Sequence, residues 1–304
     1  MTFGVGDIPD MTGRVAVVTG ASGGLGLQTA SVLAAKGAHV MLAARDELKL
    51  ARAIEEITRA APDAELTAVP LDLGDLASVG DAAAAILGQV PRVDVLVNNA
   101  GVMGTPEGRT VDGFETQLGV DHFGHWALTA HLMPALLAAP AARVVTVTSF
   151  ARLMGRPLDP DNPHLAGSYD PWRAYGQAKL ANYHFGLGLQ DAFAAAGLPA
   201  SSLLAHPGMS HTNLQPTTVQ LGGAGGQARF WAWYARRFGM SPADGAMPQL
   251  RAATDPRARG GEFYGPRFAT FGPAVRLRVR RDDSGAIRTL WEVSERETGL
   301  AINL

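Results

Sequence analysis

Tyr175 and Lys179 stand four apart in "YGQAK", at the head of a segment with helical periodicity, so their side chains face one way. A phenol with a pKa of about 10 is a poor proton donor or acceptor at neutral pH. An ammonium beside it favours the phenolate and moves the group toward working pH. Ser149 closes the β-branched run "RVVTVTS", where its hydroxyl can bond a carbonyl or alcohol oxygen. These are parts for acid–base chemistry on an oxygen. A Y-x-x-x-K pair alone is usually structural, so its meaning depends on its company.

A second group stands in "GVDHFGHW" (119–126), where Asp121, His122 and His125 interrupt an otherwise apolar helical stretch. Burying a carboxylate and two imidazoles requires partners. Metal ligation, a proton relay and satisfied structural groups are all open uses. A metal would need the three side chains to converge, and no further acidic or histidine cluster supports one; no metal site is expected. For the two histidines the expectation is structural pairing, and for Asp121 a relay.

A third is the glycine loop "TGASGGLG" (19–26), between a strand and a helix. Gly20 permits the turn, Gly24 lets backbone amides approach a diphosphate, and Gly26 lets the helix pack close to the sheet. The helix N-terminus then offers unpaired N–H groups to that anion. Ala44 stands at the end of the second strand, where an acid would accept the ribose hydroxyls of NAD, and Arg45 follows it. A guanidinium can take a 2′-phosphate through paired, charge-assisted bonds. NADP(H) is therefore expected over NAD(H).

The elements that must position these groups alternate. Strands are read at 14–20, 38–45, 66–72, 93–101, 143–149 and 200–208. Helices are read at 25–36, 46–61, 75–88, 113–139 and 173–196. Continuous apolar strands need cover on both faces, which predicts an α/β fold: a single Rossmann-type, doubly wound parallel sheet with helices on both sides. "GGEFYGP" (260–266) reads as a tight Gly/Pro loop and 289–299 as a last surface helix. The whole of 1–304 reads as one domain, with a segment over about 209–245 and a C-terminal extension over about 246–304.

Composition narrows the function classes. The 304 residues are 47% hydrophobic and 18% charged, with a formal net charge of −2, which gives no reason to expect nucleic acid or an anionic membrane as partner. There is no cysteine, so disulfides, thiolate catalysis and Cys-based zinc sites are excluded. Neither a signal peptide nor a transmembrane segment is read, and a cytoplasmic location is expected.

Thr19-Gly20-x-x-x-Gly24-x-Gly26, "NNAG" (98–101), Ser149, Tyr175 and Lys179, in that order, resemble the short-chain dehydrogenases/reductases. The long spacer between Ser149 and Tyr175, "KLAN" (179–182), "HPG" (206–208) with Thr212, and the tail "GGEFYGP…LWEVSERETG" look like the retinol-dehydrogenase-like branch. The resemblance implies hydride transfer between nicotinamide and an apolar carbonyl or alcohol, reduction being favoured if NADPH is used. Tyr175 would move the proton, Ser149 orient the oxygen, and Lys179 tune the phenol and hold the nicotinamide ribose. It further implies cofactor contacts at Gly20, Ser22, Gly24, Leu25, Gly26, Arg45, Asp72, Leu73, Asn99, Ala100, Gly101, Tyr175, Lys179, Pro207, Gly208 and Thr212.

Asp121 stands where the branch carries an asparagine. There a helix distortion exposes the residue's backbone carbonyl, which holds a water linking the lysine to solvent. The aromatic run "FWAWYARRF" (230–238) matches the family's variable substrate lid, here over about 209–245 and hinged at Gly222–Gly226; a membrane or oligomer contact and plain core packing are the other readings. Met154, Met209, Phe230, Trp231 and Trp233 are candidates for an apolar pocket. A homodimer or tetramer is compatible with the helices at 113–139 and 173–196. Reduction of an activated C=C bond, or a non-catalytic NADP(H) sensor, are the alternative functions.

Overall fold

The computed structural model describes residues 2–209, 239–280 and 284–304. Eight strands form one sheet in the order β3-β2-β1-β4-β5-β6-β7-β8. They are β1 (Val15–Thr19), β2 (His39–Ala44), β3 (Leu66–Pro70), β4 (Val95–Asn98), β5 (Arg143–Val147), β6 (Ser201–Ala205), β7 (Phe263–Pro266) and β8 (Ala274–Leu277). The first seven run parallel, and β8 returns antiparallel on β7. The strand order reverses between β1 and β4, leaving a crevice at their C-terminal ends where open sheets bind ligands.

Among the described residues the helices are α1 (Gly24–Ala35), α2 (Glu47–Ala60), α3 (Leu76–Leu87), a single turn α4 (Thr116–Leu118), α5 (Gly124–Leu137), α6 (Pro171–Ala195), α7 (Pro242–Thr254) and α8 (Ser284–Thr298). One core, with Leu33, Leu50, Ile57 and Leu250, lies under α1, α2 and α7. The other, with Ile86, Trp126, Phe185 and Val293, lies under α3, α5, α6 and α8. Central strand residues such as Val17, Leu96 and Val145 are fully buried, as cover on both faces requires. Local chemistry sets several helix starts. Asp46, Asp75 and Asp170 cap α2, α3 and α6 by accepting backbone N–H groups of the first turn.

Two expectations need correction. Residues 263–266 are not a loop: they form β7, which pairs with β6 in the register Leu204↔Phe263 and Ala205↔Tyr264. The tail thus adds two strands to the six read from sequence. The helix read over 113–139 is also not uniform. It opens with α4, passes through a π segment over Gly119–Phe123, and resumes α register at Gly124. Most of the segment over 209–245, including Thr212, Phe230, Trp231, Trp233 and Gly222–Gly226, lies outside the described residues. Among the described residues, no helix is long and apolar enough to cross a membrane.

Candidate active site

A cleft of about 360 Å³ opens at the β1/β4 crevice. Gly20, Ser22, Gly24, Leu25, Gly26, Arg45, Asp72, Leu73, Asn99, Ala100 and Gly101 all line it, so the structure brings these expected cofactor contacts together. Gly20 and Gly24 have φ of +68° and +54°, backbone that L side chains rarely adopt. A Cβ on Gly26 would overlap the carbonyl oxygen of Gly20 and lie 2.7 Å from Asn99 Nδ2. The N-terminus of α1 has no side-chain cap and no acid in its first turn. Bare backbone, close approach and free N–H groups fit a diphosphate.

The cleft is polar around Arg45, Asp46, Lys49 and Asp72. Arg45 is mostly exposed, with Nη1 3.7 Å from Asp72 Oδ2, a solvent-screened pair worth little. Ala44 closes β2 and places no carboxylate there. Lys49, in the first turn of α2 and without a motif to mark it in sequence, also lines the cleft, its Nζ 3.2 Å from Asp46 Oδ2.

Tyr175 and Lys179, also expected to contact the cofactor, do not line this cleft; they face the same side of α6 as their spacing predicts, 6% and 5% exposed. Lys179 Nζ lies 5.6 Å from the Tyr175 ring centroid. Ser149 follows β5 and caps the short 3-10 turn Phe150–Met154, its Oγ accepting from Ala151 N at 3.2 Å. Its hydroxyl is within hydrogen-bonding reach of the Tyr175 phenol. Gly155 and Gly176 hold these two elements together, because a Cβ on Gly155 would overlap the Gly176 carbonyl. A glycine directly after the tyrosine inside a helix was the available sequence signal for this contact.

Asp121 joins this group directly. It is fully buried, with Oδ2 2.9 Å from Lys179 Nζ and Oδ1 accepting from Val102 N at 2.7 Å. The contact has the length of a charge-assisted bond. Gly101 lies against the pair, since a Cβ there would stand 3.0 Å from Asp121 Oδ1 and 3.1 Å from Lys179 Nζ. That close approach ties the "NNAG" turn to the Asp121–Lys179 pair.

Burial pushes the Tyr175 phenol up; Lys179 pulls it down and Asp121 pushes it up again, leaving it above its ordinary value. The ammonium at four-residue spacing, taken alone, predicts the opposite net direction. The reason is that dehydration outweighs the ammonium, whose charge Asp121 partly cancels. For Lys179, burial alone would lower its pKa, but Asp121 and Tyr175 outweigh burial and raise it. Burial also pushes the Asp121 carboxyl up, against the pull of Lys179.

The two histidines diverge from Asp121. His125 Nδ1 lies 2.9 Å from the Asp121 carbonyl, which can only accept, so Nδ1 carries the proton. Nε2 therefore accepts from Thr19 Oγ1 at 2.9 Å. Thr19 Oγ1 in turn accepts from the amides of Asn99 and Ala100 at 2.9 and 3.0 Å. The carbonyl expected to be exposed for water thus already receives one imidazole N–H. Burial lowers the pKa of His125 to about 4 and of His122 to about 3, so both rings are neutral at physiological pH. His122 turns instead to Ser294 on α8, at 2.8 Å. Among the described residues, no three His, Asp or Glu side chains are grouped to hold a metal.

Pro207 and Gly208 follow β6 at the same C-terminal edge of the sheet, without lining the cleft. Gly208 has φ of +67° and donates its amide to His206 Nδ1 at 3.1 Å. Met154 is 60% exposed rather than enclosed in a pocket.

A family model described as short chain dehydrogenase matches residues 14–220. The chain is 37% identical over 296 residues to polyprenol dehydrogenase of Mus musculus, covering 96% of this chain and 86% of that one. It is 38% identical over 202 residues to retinol dehydrogenase 13 of Homo sapiens, covering 66% and 60% of the two. A crystal structure of an uncharacterized protein from Mycobacterium paratuberculosis superposes with a TM-score of 0.80 at 38% identity, each chain covered in full.

Proposed function

The chain is an oxidoreductase of the short-chain dehydrogenase/reductase family, in its retinol-dehydrogenase-like branch, and from that premise we propose that it is an NADP(H)-dependent enzyme acting on an apolar carbonyl or alcohol through Ser149, Tyr175 and Lys179. One observation carries the reading: a buried phenol and ammonium on one helix face, with a serine hydroxyl beside the phenol and Gly101, which lines the glycine-rich cleft, packed against the ammonium.

The bare backbone of Gly20, Gly24 and Gly26 and the free start of α1 would hold the diphosphate, and Arg45 with Lys49 would take a 2′-phosphate. When bound, the nicotinamide supplies or accepts the hydride. Ser149 holds the substrate oxygen by its hydroxyl. Tyr175 gives that oxygen its proton, and its raised pKa keeps the phenol protonated at neutral pH, the form that reduction requires. Lys179 stabilises the phenolate left behind, and Asp121 keeps Lys179 charged and in place. The names of the similar polyprenol and retinol dehydrogenases support a long apolar alcohol or its carbonyl as the substrate class.

The test is NADPH oxidation, followed by absorbance, against a panel of apolar ketones, aldehydes and enals. Turnover of a carbonyl that disappears in Tyr175→Phe, with NADPH binding retained, supports the proposal. Turnover of enals at their C=C bond alone, or tight binding with no turnover on any member, would overturn it.

A further inference from the structure

The π segment carrying Asp121 is gripped from its far side by the C-terminal helix. His122 Nε2 and Ser294 Oγ are 2.8 Å apart, and both residues are fully buried. The Ser294 hydroxyl hydrogen goes to Leu290 O at 2.7 Å, so the imidazole donates to the serine. One turn earlier, Trp291 sets its ring edge-on to Trp126 at 4.9 Å and stacks on Phe185 at 5.7 Å. One turn later, Glu297 Oε2 lies 3.1 Å from His164 Nε2. His164 Nδ1 accepts from the amide of Glu115, which caps α4, at 3.2 Å. Trp291, Ser294 and Glu297 recur every third residue, so one face of α8 reaches both ends of the stretch 115–126.

A π turn is a register fault holding one extra residue. Reverting it to α register would turn the segment by about 100°, the advance of one residue. That rotation would swing Asp121 off Lys179 and His122 off Ser294 together. We propose that α8 is a positioning element and Ser294 a positioning residue: the Ser294–His122 bond holds the π register that aims the Asp121 carboxylate at Lys179. This deepens the proposed function, since it rests on Asp121 and Lys179 serving Tyr175.

The experiment is an ultraviolet titration of the Tyr175 phenol in the full chain, isolated as the difference between the parent and Tyr175→Phe, each with and without Ser294→Ala. Asp121 opposes the pull of Lys179 on the phenol. Loosening the grip leaves that pull uncompensated, so the titration moves to lower pH in Ser294→Ala and returns in Ser294→Thr. NADPH affinity falls less than kcat, because no α8 residue lines the cofactor cleft and only the Lys179 contact is loosened, while kcat falls roughly tenfold, no further than removal of the Asp121 charge itself would take it. A folded Ser294→Ala chain with the parental phenol titration overturns the proposal; so does a loss of NADPH affinity in step with kcat, the mark of general loosening. Should Ser294→Ala fail to fold, Glu297→Gln at the other end of the grip is read the same way, and a parental titration there overturns it. The titration needs no substrate. A chain that reduces no carbonyl yet shows the Ser294→Ala shift refutes the proposed reaction and supports the clamp.

Discussion

Asp121→Asn keeps the shape of the side chain and removes its charge, which isolates the Lys179 ion pair. Opposite charges 2.9 Å apart attract by about 6 kcal/mol at an effective dielectric of about 20. Much of that is offset by the cost of drying two ions, and removing one partner of a buried pair typically costs roughly 3–5 kcal/mol. The amide oxygen can still accept from Val102 N, so the lower end, about 3 kcal/mol, is expected. With about 2 cal/mol/K of unfolding entropy per residue over 304 residues, that lowers Tm by about 5 °C. Differential scanning calorimetry reads it directly. The phenol titration of Tyr175 should move down at the same time, because the carboxylate that opposes Lys179 is gone. Reductase turnover should persist within about tenfold, since Tyr175 and Ser149 are untouched. An unshifted Tm together with an unmoved phenol would refute the energetic role of the pair. Complete loss of turnover in a folded Asp121→Asn chain would mean that the carboxylate itself accepts a proton.

Further outcomes follow from the same geometry. Because burial holds the Tyr175 phenol above its ordinary value, the reduction rate should stay level through neutral pH and fall only on the alkaline side, with oxidation rising there; a reduction profile falling across neutrality contradicts this. Arg45→Ala should raise the KM for NADPH roughly ten- to a hundredfold and leave that for NADH nearly unchanged, the loss of about 1.5–3 kcal/mol expected for a charged hydrogen bond; equal losses would remove the phosphate role. Burial raises the Glu115 carboxyl to about 7, from 4.5, so the folded state binds the extra proton between those values. That stability is complete below 4.5 and is lost as pH rises through 7, a contribution of up to about 3 kcal/mol. Urea melts of Glu115→Gln against the parent should show this slope removed. The buried His122, His125 and His206 have lowered values and the opposite slope, so they cancel in that comparison.

Six strands and the helices between them were legible in sequence because each is buried on both faces or one, and burial writes itself as apolar runs and amphipathic periods. β7 was not legible. Four residues flanked by glycine and proline carry a loop's local signal, and "FYGP" becomes a strand only because β6 lies beside it with an open edge. The π segment was hidden for a related reason. Its apolar pattern is that of a helix, and one extra residue in register changes the direction of side chains without changing their composition.

The chemical groups divide in the same way. Residue type and spacing alone determined the glycine cradle and the facing of Tyr175 and Lys179, because a loop backbone and one helical turn are local geometry. Tertiary structure alone decided that Asp121 meets Lys179 across 58 positions of chain, that His125 takes the Asp121 carbonyl and Thr19, and that His122 belongs to the C-terminal helix. It also decided the sign of the Tyr175 shift, because dehydration and the balance of two opposed charges depend on how deeply, and how far apart, the fold sets them.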